Sequence, residues 1–270
     1  MTFAYPPPTD GKPFRLTLGL RELDPKDWLE SGADSAAQIT ERNSLIDSKR
    51  EVVYQEISGH QSGIEYFCTA LSQNIAQFHP DHYGNFASST EQNQLLRIGR
   101  VICEDLCILS KIDGKWVLIA GLVVFPSRWD LREKIGLDID AIHAPVPGYD
   151  QSLEPLMSET FDRLKPERPT WRRNWSLHPS PKLHEPSYEG DRSPVDQFWW
   201  RTERQTLTKS SDGQYILFTI RNRAEPFARI KNDPQAAKAF AQTLETLSSE
   251  MLQYKRLSEQ RAELLDYLRH

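Results

Sequence analysis

The segment from Phe125 to Tyr149 combines one histidine with backbone restraints that would hold it in place. Its sequence is FPSRWDLREKIGLDIDAIHAPVPGY, and His143 lies directly before a Pro-Val-Pro run that cannot continue a helix. An imidazole held in apolar surroundings stays neutral, which leaves one ring nitrogen free to bind a metal. The alternative is a buried histidine that bonds to a backbone carbonyl, and the local sequence alone favours it.

Residues 171–178, WRRNWSLH, alternate as a β-strand does. The alternation predicts one face with Arg173, Trp175 and Leu177, and an opposite face with Arg172, Asn174 and Ser176. Trp175 is then either a core residue or one wall of a pocket, where an indole ring attracts an alkylammonium group.

Residues 198–209, FWWRTERQTLTK, place charged side chains inside a second predicted strand. One face carries Arg201, Glu203 and Gln205, and the other carries Trp200, Thr202, Arg204 and Thr206. Such charges form either a solvated ladder or buried pairs, and spacing alone favours the ladder. A buried arginine can instead bind the carboxylate of a ligand, because guanidinium and carboxylate geometries match.

The remaining histidines and the cysteines offer weaker metal sites. His79 and His82 form HPDH, and His178 and His184 flank PSPKL; surface histidines in solvated loops are the favoured interpretation of both pairs. The cysteines are Cys68, Cys103 and Cys107, with no second pair that would complete a zinc site. Each of the last two is an alternative single-thiolate iron ligand, although buried thiols are favoured.

Composition excludes several classes of function. The net charge of −5 gives no attraction to DNA or to anionic lipid, and no apolar run is long enough to predict a membrane span. There is no glycine-rich phosphate loop, so no nucleotide cofactor is expected on this chain. Sparse cysteines and a start, MTFAYPPPTD, without signal-peptide features predict a cytoplasmic protein.

The elements predict an α+β fold with five antiparallel strands. Two of the strands flank Asp113-Gly114 and two flank Ser211-Asp212-Gly213, both of which are hairpin signals. We expect helices over 34–56, 63–78 and 151–164, a cap at Asp24 before Pro25, and a loop over 79–94. The predicted domains are an extended arm at 1–22, a central domain at 23–230 and a long C-terminal helix at 231–270, packed on the domain or on a partner.

Five strings occur in order with the separations of a known family: EDLCILS, FPSRWDLREKIG, IHAPVPGY, RRNWSLH and RTERQTLTKSSDGQYILFTIR. They resemble the haem-binding alpha subunit of the haem-dependent oxidative N-demethylases, also described as dimethylamine monooxygenase-like. The resemblance extends from about Trp28 to Phe227. It implies a PAS-like fold with a five-stranded antiparallel sheet that holds haem b.

The resemblance also implies an activity and partners. The activity is the removal of a methyl group from a small secondary amine such as dimethylamine, with O₂ as oxidant and formaldehyde as product. Electrons would come from NADPH through FMN and an iron–sulfur centre, all on partner reductase subunits. A homo-oligomer is also compatible with the sequence. The alternative is a PAS-like haem or small-ligand sensor without turnover.

The resemblance assigns the iron to His143, which would be the proximal ligand. It makes Arg173, Arg201 and Arg204 candidates for contacts to the haem propionates or to bound oxygen. Glu203 would fix the amine cation, and Trp175 would form an aromatic wall beside it.

Overall fold

The computed structural model describes residues 18–149, 154–188 and 193–270, apart from the side chains of 82–85 and 154–155. Within these ranges, seven antiparallel strands form one sheet in the order β1-β5-β6-β7-β3-β4-β2. The strands are β1 Arg21–Glu22, β2 Tyr54–Glu56, β3 Glu104–Ile112, β4 Lys115–Leu122, β5 Thr170–His178, β6 Trp199–Lys209 and β7 Tyr215–Pro226.

The predicted number of five strands is therefore wrong. The five predicted strands are β3 to β7, and they form the continuous centre of the sheet. The other two, β1 and β2, lie at the edges and contain two and three residues. The α+β class is confirmed, and the PAS-like description stays a prediction.

Two hairpins join the central strands where the turn signals predict them. Between β3 and β4, Asp113 and Gly114 both have positive φ, 49° and 81°, which matches the right-handed twist of paired strands. Between β6 and β7, Gly213 has φ 74°. The Ser210 hydroxyl donates to Asp212 Oδ1 across this turn, at 2.5 Å.

Twelve α-helices surround the sheet in the described part of the chain, together with short 3-10 helices at Pro25–Asp27 and Val195–Gln197. They are α1 Ser35–Ser48, α2 Arg50–Val53, α3 Gln61–Phe78, α4 Pro80–Ser88, α5 Gln94–Gly99, α6 Leu131–Lys134, α7 Ile139–His143, α8 Glu154–Arg163, α9 Ala228–Lys231, α10 Pro234–Thr246, α11 Ser249–Tyr254 and α12 Arg261–Arg269. None of these helices combines the length and the apolar character that a membrane span requires.

Three predicted segments differ from the structure. The helix expected over 34–56 ends at Val53, and Tyr54–Glu56 form the edge strand β2. Helix α4 lies inside the segment 79–94 that was predicted as a loop. The single long C-terminal helix is instead the three helices α10, α11 and α12. Leu247 leaves helical geometry with ψ 135°, and Ser248 caps α11 by accepting a hydrogen bond from Met251 N at 3.2 Å. Arg256, with φ 57°, separates α11 from α12.

The predicted N-terminal arm falls mostly outside the described residues, which begin at 18. Its last two residues form β1 and pair with Thr170 and Trp171 of β5. The helix start at Asp24 is confirmed, because this side chain accepts a hydrogen bond from Lys26 N at 3.0 Å.

Alternation gives the sheet two faces, which we name the front and the back. The front-face core contains Cys107, Leu109, Leu207 and Ile216, with Ile139, Tyr149 and Phe161 of the segments α6 to α8 packed on them. The back face has two cores. One joins β3 and β7 to α1 and α3, and the other joins β5 and β6 to the C-terminal helices. The segment that carries His143 therefore covers the front face.

Candidate functional site

Asp105 fixes the start of the segment 125–149. The side chain is fully buried on β3 and accepts hydrogen bonds from Val124 N at 2.8 Å and Phe125 N at 3.1 Å. Arg42 of α1 pairs with the same carboxylate at 2.6 Å. These partners satisfy both oxygens of the buried carboxylate, so the chain leaves β4 along a defined path.

Arg201 of β6 also holds Phe125, the first residue of the segment 125–149. Its guanidinium is fully buried and donates to Phe125 O at 2.7 Å and to Asn222 Oδ1 at 3.0 Å. Burial lowers the pKa of Arg201, partly offset by the charges of Glu203 and other carboxylates. The Nε atom of Arg201 has no hydrogen-bond partner among the described residues.

A second network involves His178, which is only 1% exposed. The prediction of a surface histidine is therefore wrong here. His178 Nδ1 pairs with Glu185, and Nε2 accepts from Ser176 Oγ at 2.8 Å. Burial lowers the pKa of His178, which favours the neutral ring. Glu185 also pairs with Arg128 at 3.1 Å, so this network ties the chain at 128 to the segment after β5.

Helix α7 is anchored to β4 before it presents His143. Asp138 caps the helix by accepting from Ala141 N at 2.9 Å, and it also pairs with Lys115 Nζ of β4 at 2.7 Å. The backbone is tied at the same place, because Leu118 N donates to Leu137 O at 3.0 Å. A five-residue helix has little stability alone, so these contacts determine where it lies.

The imidazole of His143 is held in one orientation and one tautomer. Its Nδ1 lies 2.7 Å from Ile139 O, and because a carbonyl only accepts, Nδ1 must carry the proton. The ring stacks on Tyr149 with centroids 5.4 Å apart and planes at 15°, and the Tyr149 hydroxyl donates to Asp140 at 2.7 Å. Burial lowers the pKa of His143, so Nε2 offers a lone pair.

Four polar side chains form what we name the polar patch on the front face of β5 and β6: Arg172, Asn174, Glu203 and Gln205. Glu203 accepts from Asn174 Nδ2 at 3.3 Å and from Gln205 Nε2 at 2.8 Å. Arg172 lies opposite Gln205 in the strand register, and its buried Nε has no partner among the described residues. Burial is the main cause of the lowered pKa of His143, and the positive charge of Arg172 lies close enough to contribute to it.

Lys255, after α11, contacts β5 at Trp175, the residue that follows Asn174 of the polar patch. Its Nζ donates to Trp175 O at 2.9 Å and lies 4.1 Å from the centroid of the Trp175 ring. Burial lowers the pKa of Lys255 to about 8, while the charge of Glu203 acts in the opposite direction. The chain thus supplies its own cation to the indole ring that the sequence suggested for an alkylammonium.

The predicted site residues divide between the two faces. His143, Arg201 and Glu203 are brought to the front face. The strand register places Arg173, Trp175 and Arg204 on the back face. Trp175 stacks on Trp200 in a core at 5.2 Å, and Arg204 donates to the carbonyls of Asp27 and Trp28. Arg173 lies over the Trp171 ring at 5.6 Å.

Three residues of this site were not selected from the sequence. Arg172 could have been found, since the alternation of WRRNWSLH already separated it from Arg173; the register of β5 and β6 then puts its face with Glu203. Tyr149 closes the HAPVPGY motif, but spacing alone does not show that its ring stacks on His143. Lys255 is distant in sequence from both strands, and no sequence signal marks it.

The alternative metal sites, at the cysteines and at the other histidines, have few supporting features among the described residues. Burial raises the pKa of Cys103 and of Cys107, and it raises that of Cys68 to about 12, which keeps these thiols protonated. No group of three or more His, Cys, Asp or Glu side chains converges in a metal-binding arrangement within the described residues. The side chain of His82 lies outside them.

A comparison with protein families matches residues 19–265 to the family described as haem-dependent oxidative N-demethylase, alpha subunit-like. The match covers most of the chain, so the protein belongs to this family. Its description gives haem as the cofactor and oxidative N-demethylation as the general activity. The term alpha subunit implies an enzyme that works with partner subunits.

Proposed function

We propose that this chain binds haem b through His143 Nε2 and catalyses oxidative removal of a methyl group from a small secondary amine of the dimethylamine type. The observation that carries this proposal is the geometry of His143. A backbone carbonyl fixes its Nδ1 proton, and a stacked tyrosine fixes its ring plane. Histidine ligands are commonly oriented by such a bond to the nitrogen that does not bind the metal.

The front face also supplies two arginines that match the chemistry of the two carboxylates that haem carries. Arg172 and Arg201 each bury an Nε atom that has no partner among the described residues. Orphaned buried donors are costly, and a carboxylate is the chemistry that would satisfy them. We therefore propose Arg172 and Arg201 for the propionates. Arg173 and Arg204, on the back face, are left out of the proposed site.

Bound haem would supply an iron centre for the activation of O₂. Glu203 would bind the ammonium form of the amine, and the amides of Asn174 and Gln205 keep its carboxylate in place. In the overall reaction, dimethylamine, O₂, two protons and two electrons give methylamine, formaldehyde and water. Glu203 would accept the proton that the amine releases before its methyl group is oxidised.

The electrons would reach this chain from partner subunits that carry NADPH, FMN and an iron–sulfur centre. The family description supports the existence of partner subunits, because an alpha subunit works with others. We further propose that the five central strands and their helices form a PAS-like unit and that the protein acts in the cytoplasm.

Amine-dependent formaldehyde formation tests the proposed activity. Haem-loaded protein, given O₂ and a chemical reductant, should release formaldehyde from dimethylamine and little from dimethyl ether, an uncharged molecule of similar shape. Glu203→Gln should raise the KM for dimethylamine and leave haem absorbance unchanged. Full haem loading without formaldehyde would instead favour the sensor function.

A further inference from the structure

Three side chains at and after the C-terminal end of β5 form a hydrogen-bonded chain, which we name the Ser176 triad: Ser176, His178 and Glu185. His178 Nε2 accepts from Ser176 Oγ at 2.8 Å, and His178 Nδ1 bonds to Glu185 Oε2. Hydroxyl, imidazole and carboxylate in this order are the parts of a base-activated serine nucleophile. Ser176 lies four residues along β5 from Arg172, about 13 Å at the rise of a strand. The triad is therefore separate from the arginine proposed for a propionate.

The hydrogen bonds of the Ser176 triad assign its protons. Burial raises the pKa of Glu185, but the hydrogen bond from His178 and the charge of Arg128 outweigh burial, so this pKa is lowered and the group is a carboxylate. A carboxylate only accepts, so His178 Nδ1 carries a proton. Burial lowers the pKa of His178, so its ring is neutral and Nε2 has a lone pair that can take the Ser176 proton.

The imidazole of the triad is oriented by a fourth residue. Glu185 Oε1 accepts from Arg128 Nε at 3.1 Å, which leaves Oε2 for His178. Both His178 and Glu185 are buried, so neither side chain has room to turn away. A base that is already in place when a substrate arrives lowers the entropic cost of the reaction.

Ser176, unlike its two partners, is partly exposed. The carbonyls before and after it accept hydrogen bonds from Lys255 and Arg128, so they face away from β6. Backbone groups alternate in direction along a strand, so those of Ser176 face Arg201 of β6, with which it is paired. The exposed surface of Ser176 therefore belongs mainly to its side chain, which a small molecule can reach from the front face.

Two neighbours of the triad suit an ester substrate. Ser127 Oγ lies 3.4 Å from His178 Nε2, so a second hydroxyl is at hand to donate to the oxygen that gains negative charge. Trp199 lies opposite His178 in the strand register and is partly exposed, so its indole ring can pack on an acyl group. These contacts favour an ester whose acyl group is apolar.

We propose that the Ser176 triad hydrolyses small carboxylic esters with an apolar acyl group, an activity separate from that proposed for haem. Ser176 Oγ forms a bond to the carbonyl carbon while its proton moves to His178 Nε2. The bond from this carbon to the alcohol oxygen then breaks, and His178 gives the proton to that oxygen. Water cleaves the acyl-serine by the same steps, which releases the acid and restores Ser176.

Phenylmethanesulfonyl fluoride tests the nucleophile, because this neutral aromatic reagent sulfonylates serines that a base activates. The full chain, supplied with haem, should take up one sulfonyl group on Ser176, located by peptide mass spectrometry. Ser176→Ala should take up none. Ser180→Ala, two residues beyond His178 and outside the triad, is the matched control and should react as the wild type does.

Glu185→Gln tests the chain of hydrogen bonds, because it keeps the size of the side chain and removes its charge. Sulfonylation of Ser176 should be slower by about 100-fold or more in this variant, and circular dichroism measures whether it is folded. Hydrolysis of 4-nitrophenyl acetate should be catalysed by the wild type and by Ser180→Ala, and not by Ser176→Ala. Haem absorbance of Ser176→Ala should be unchanged, so this result is separable from that for His143.

Several outcomes would overturn the proposal. They are the absence of any sulfonyl group, its attachment to Ser127 or to another serine in place of Ser176, and an unchanged rate in folded Glu185→Gln. Equal rates of ester hydrolysis in Ser176→Ala and the wild type would overturn it as well.

Discussion

Neighbouring side chains on strand β5 lie on opposite faces of the sheet and have different surroundings. Arg172 and Arg173 are adjacent in sequence, yet one belongs to the polar patch on the front face and the other lies against Trp171 on the back face. The chemistry of arginine is the same in both places. Only the side of the sheet decides which of them can reach a ligand held by His143.

Single substitutions of these two arginines test the proposed contact to a haem propionate. Arg172→Gln should weaken haem binding by about tenfold or more, because a charge-assisted hydrogen bond is lost. Arg173→Gln, one position away, is the matched control and should leave the affinity unchanged. Haem titration followed by absorbance measures both. Equal losses in the two variants would contradict the assignment to the front face.

Lys255 should make stability depend on pH. Burial lowers its pKa to about 8 in the folded protein, whereas a lysine in an unfolded chain titrates near about 10.4. Between these values the unfolded chain binds more protons than the folded one, so the free energy of unfolding rises with pH across this window.

Urea unfolding of wild type and Lys255→Met at about pH 7 and about pH 10 measures this effect. The wild type should gain stability relative to the variant at the higher pH, because the cost of the buried charge disappears as Lys255 loses its proton. Lys238→Met, at an exposed position of α10, controls for general effects of charge removal. If the difference in the free energy of unfolding between wild type and Lys255→Met is the same at both pH values, the pKa of Lys255 is not lowered in the folded protein.

At the scale of elements, the sequence predicts those that have a repeating pattern. Strands β3 and β4 are apolar runs on either side of Asp113-Gly114, β5 and β6 alternate, and β6 and β7 flank a second turn signal, so the positions of these strands were predictable. Strands β1 and β2 contain two and three residues, too few for any period to appear. Helix α4 was missed because HPDHYGNFASST is polar and rich in turn-forming residues, although Pro80 occupies a favourable first position.

The C-terminal region shows a second reason why the sequence pattern does not predict every element. Its apolar stripe continues through Leu247 and Met251, and no glycine or proline marks a break. The chain nevertheless begins a new helix at Ser248, whose hydroxyl caps α11. A cap by serine inside a periodic segment competes with continued helix, and tertiary packing decides the outcome.

The cap of α7 should affect haem binding as well as stability. Asp138→Ala removes the bond to Ala141 N and should cost about 1 kcal/mol of stability. It should also lower haem affinity, because the helix ends at His143. Asp233→Ala removes the equivalent cap of α10, where Asp233 accepts from Ala236 N at 3.0 Å.

Both cap variants should lose similar stability in urea unfolding, but only Asp138→Ala should lose haem affinity. Equal haem affinity in the two would show that α7 does not position the iron ligand.

At the scale of the whole molecule, one buried ion pair joins the layers. Arg42 on the back-face helix α1 reaches Asp105 of β3, whose carboxylate also holds the chain after β4. Neither residue stood out in the sequence, since a single charge in an apolar strand does not reveal its partner. The predicted domain boundaries at 22 and 230 stay a prediction.

Loss of this pair should destabilise the entire fold. Asp105→Ala leaves Arg42 buried and unpaired and should cost about 3–5 kcal/mol in urea unfolding. Glu159→Gln removes an exposed pair with Arg163 on α8 and should cost less than about 0.5 kcal/mol. A small effect of Asp105→Ala would show that water replaces the carboxylate.

The central claim, that His143 binds haem iron, is tested most directly by the absorption spectrum of the purified protein supplied with haem. Wild type and His60→Ala should show the same intense Soret band, because His60 lies at the start of α3, which packs on the back face. His143→Ala should lose the band or shift it, and added imidazole should restore it by replacing the missing ring. A spectrum of His143→Ala identical to that of the wild type would contradict the claim.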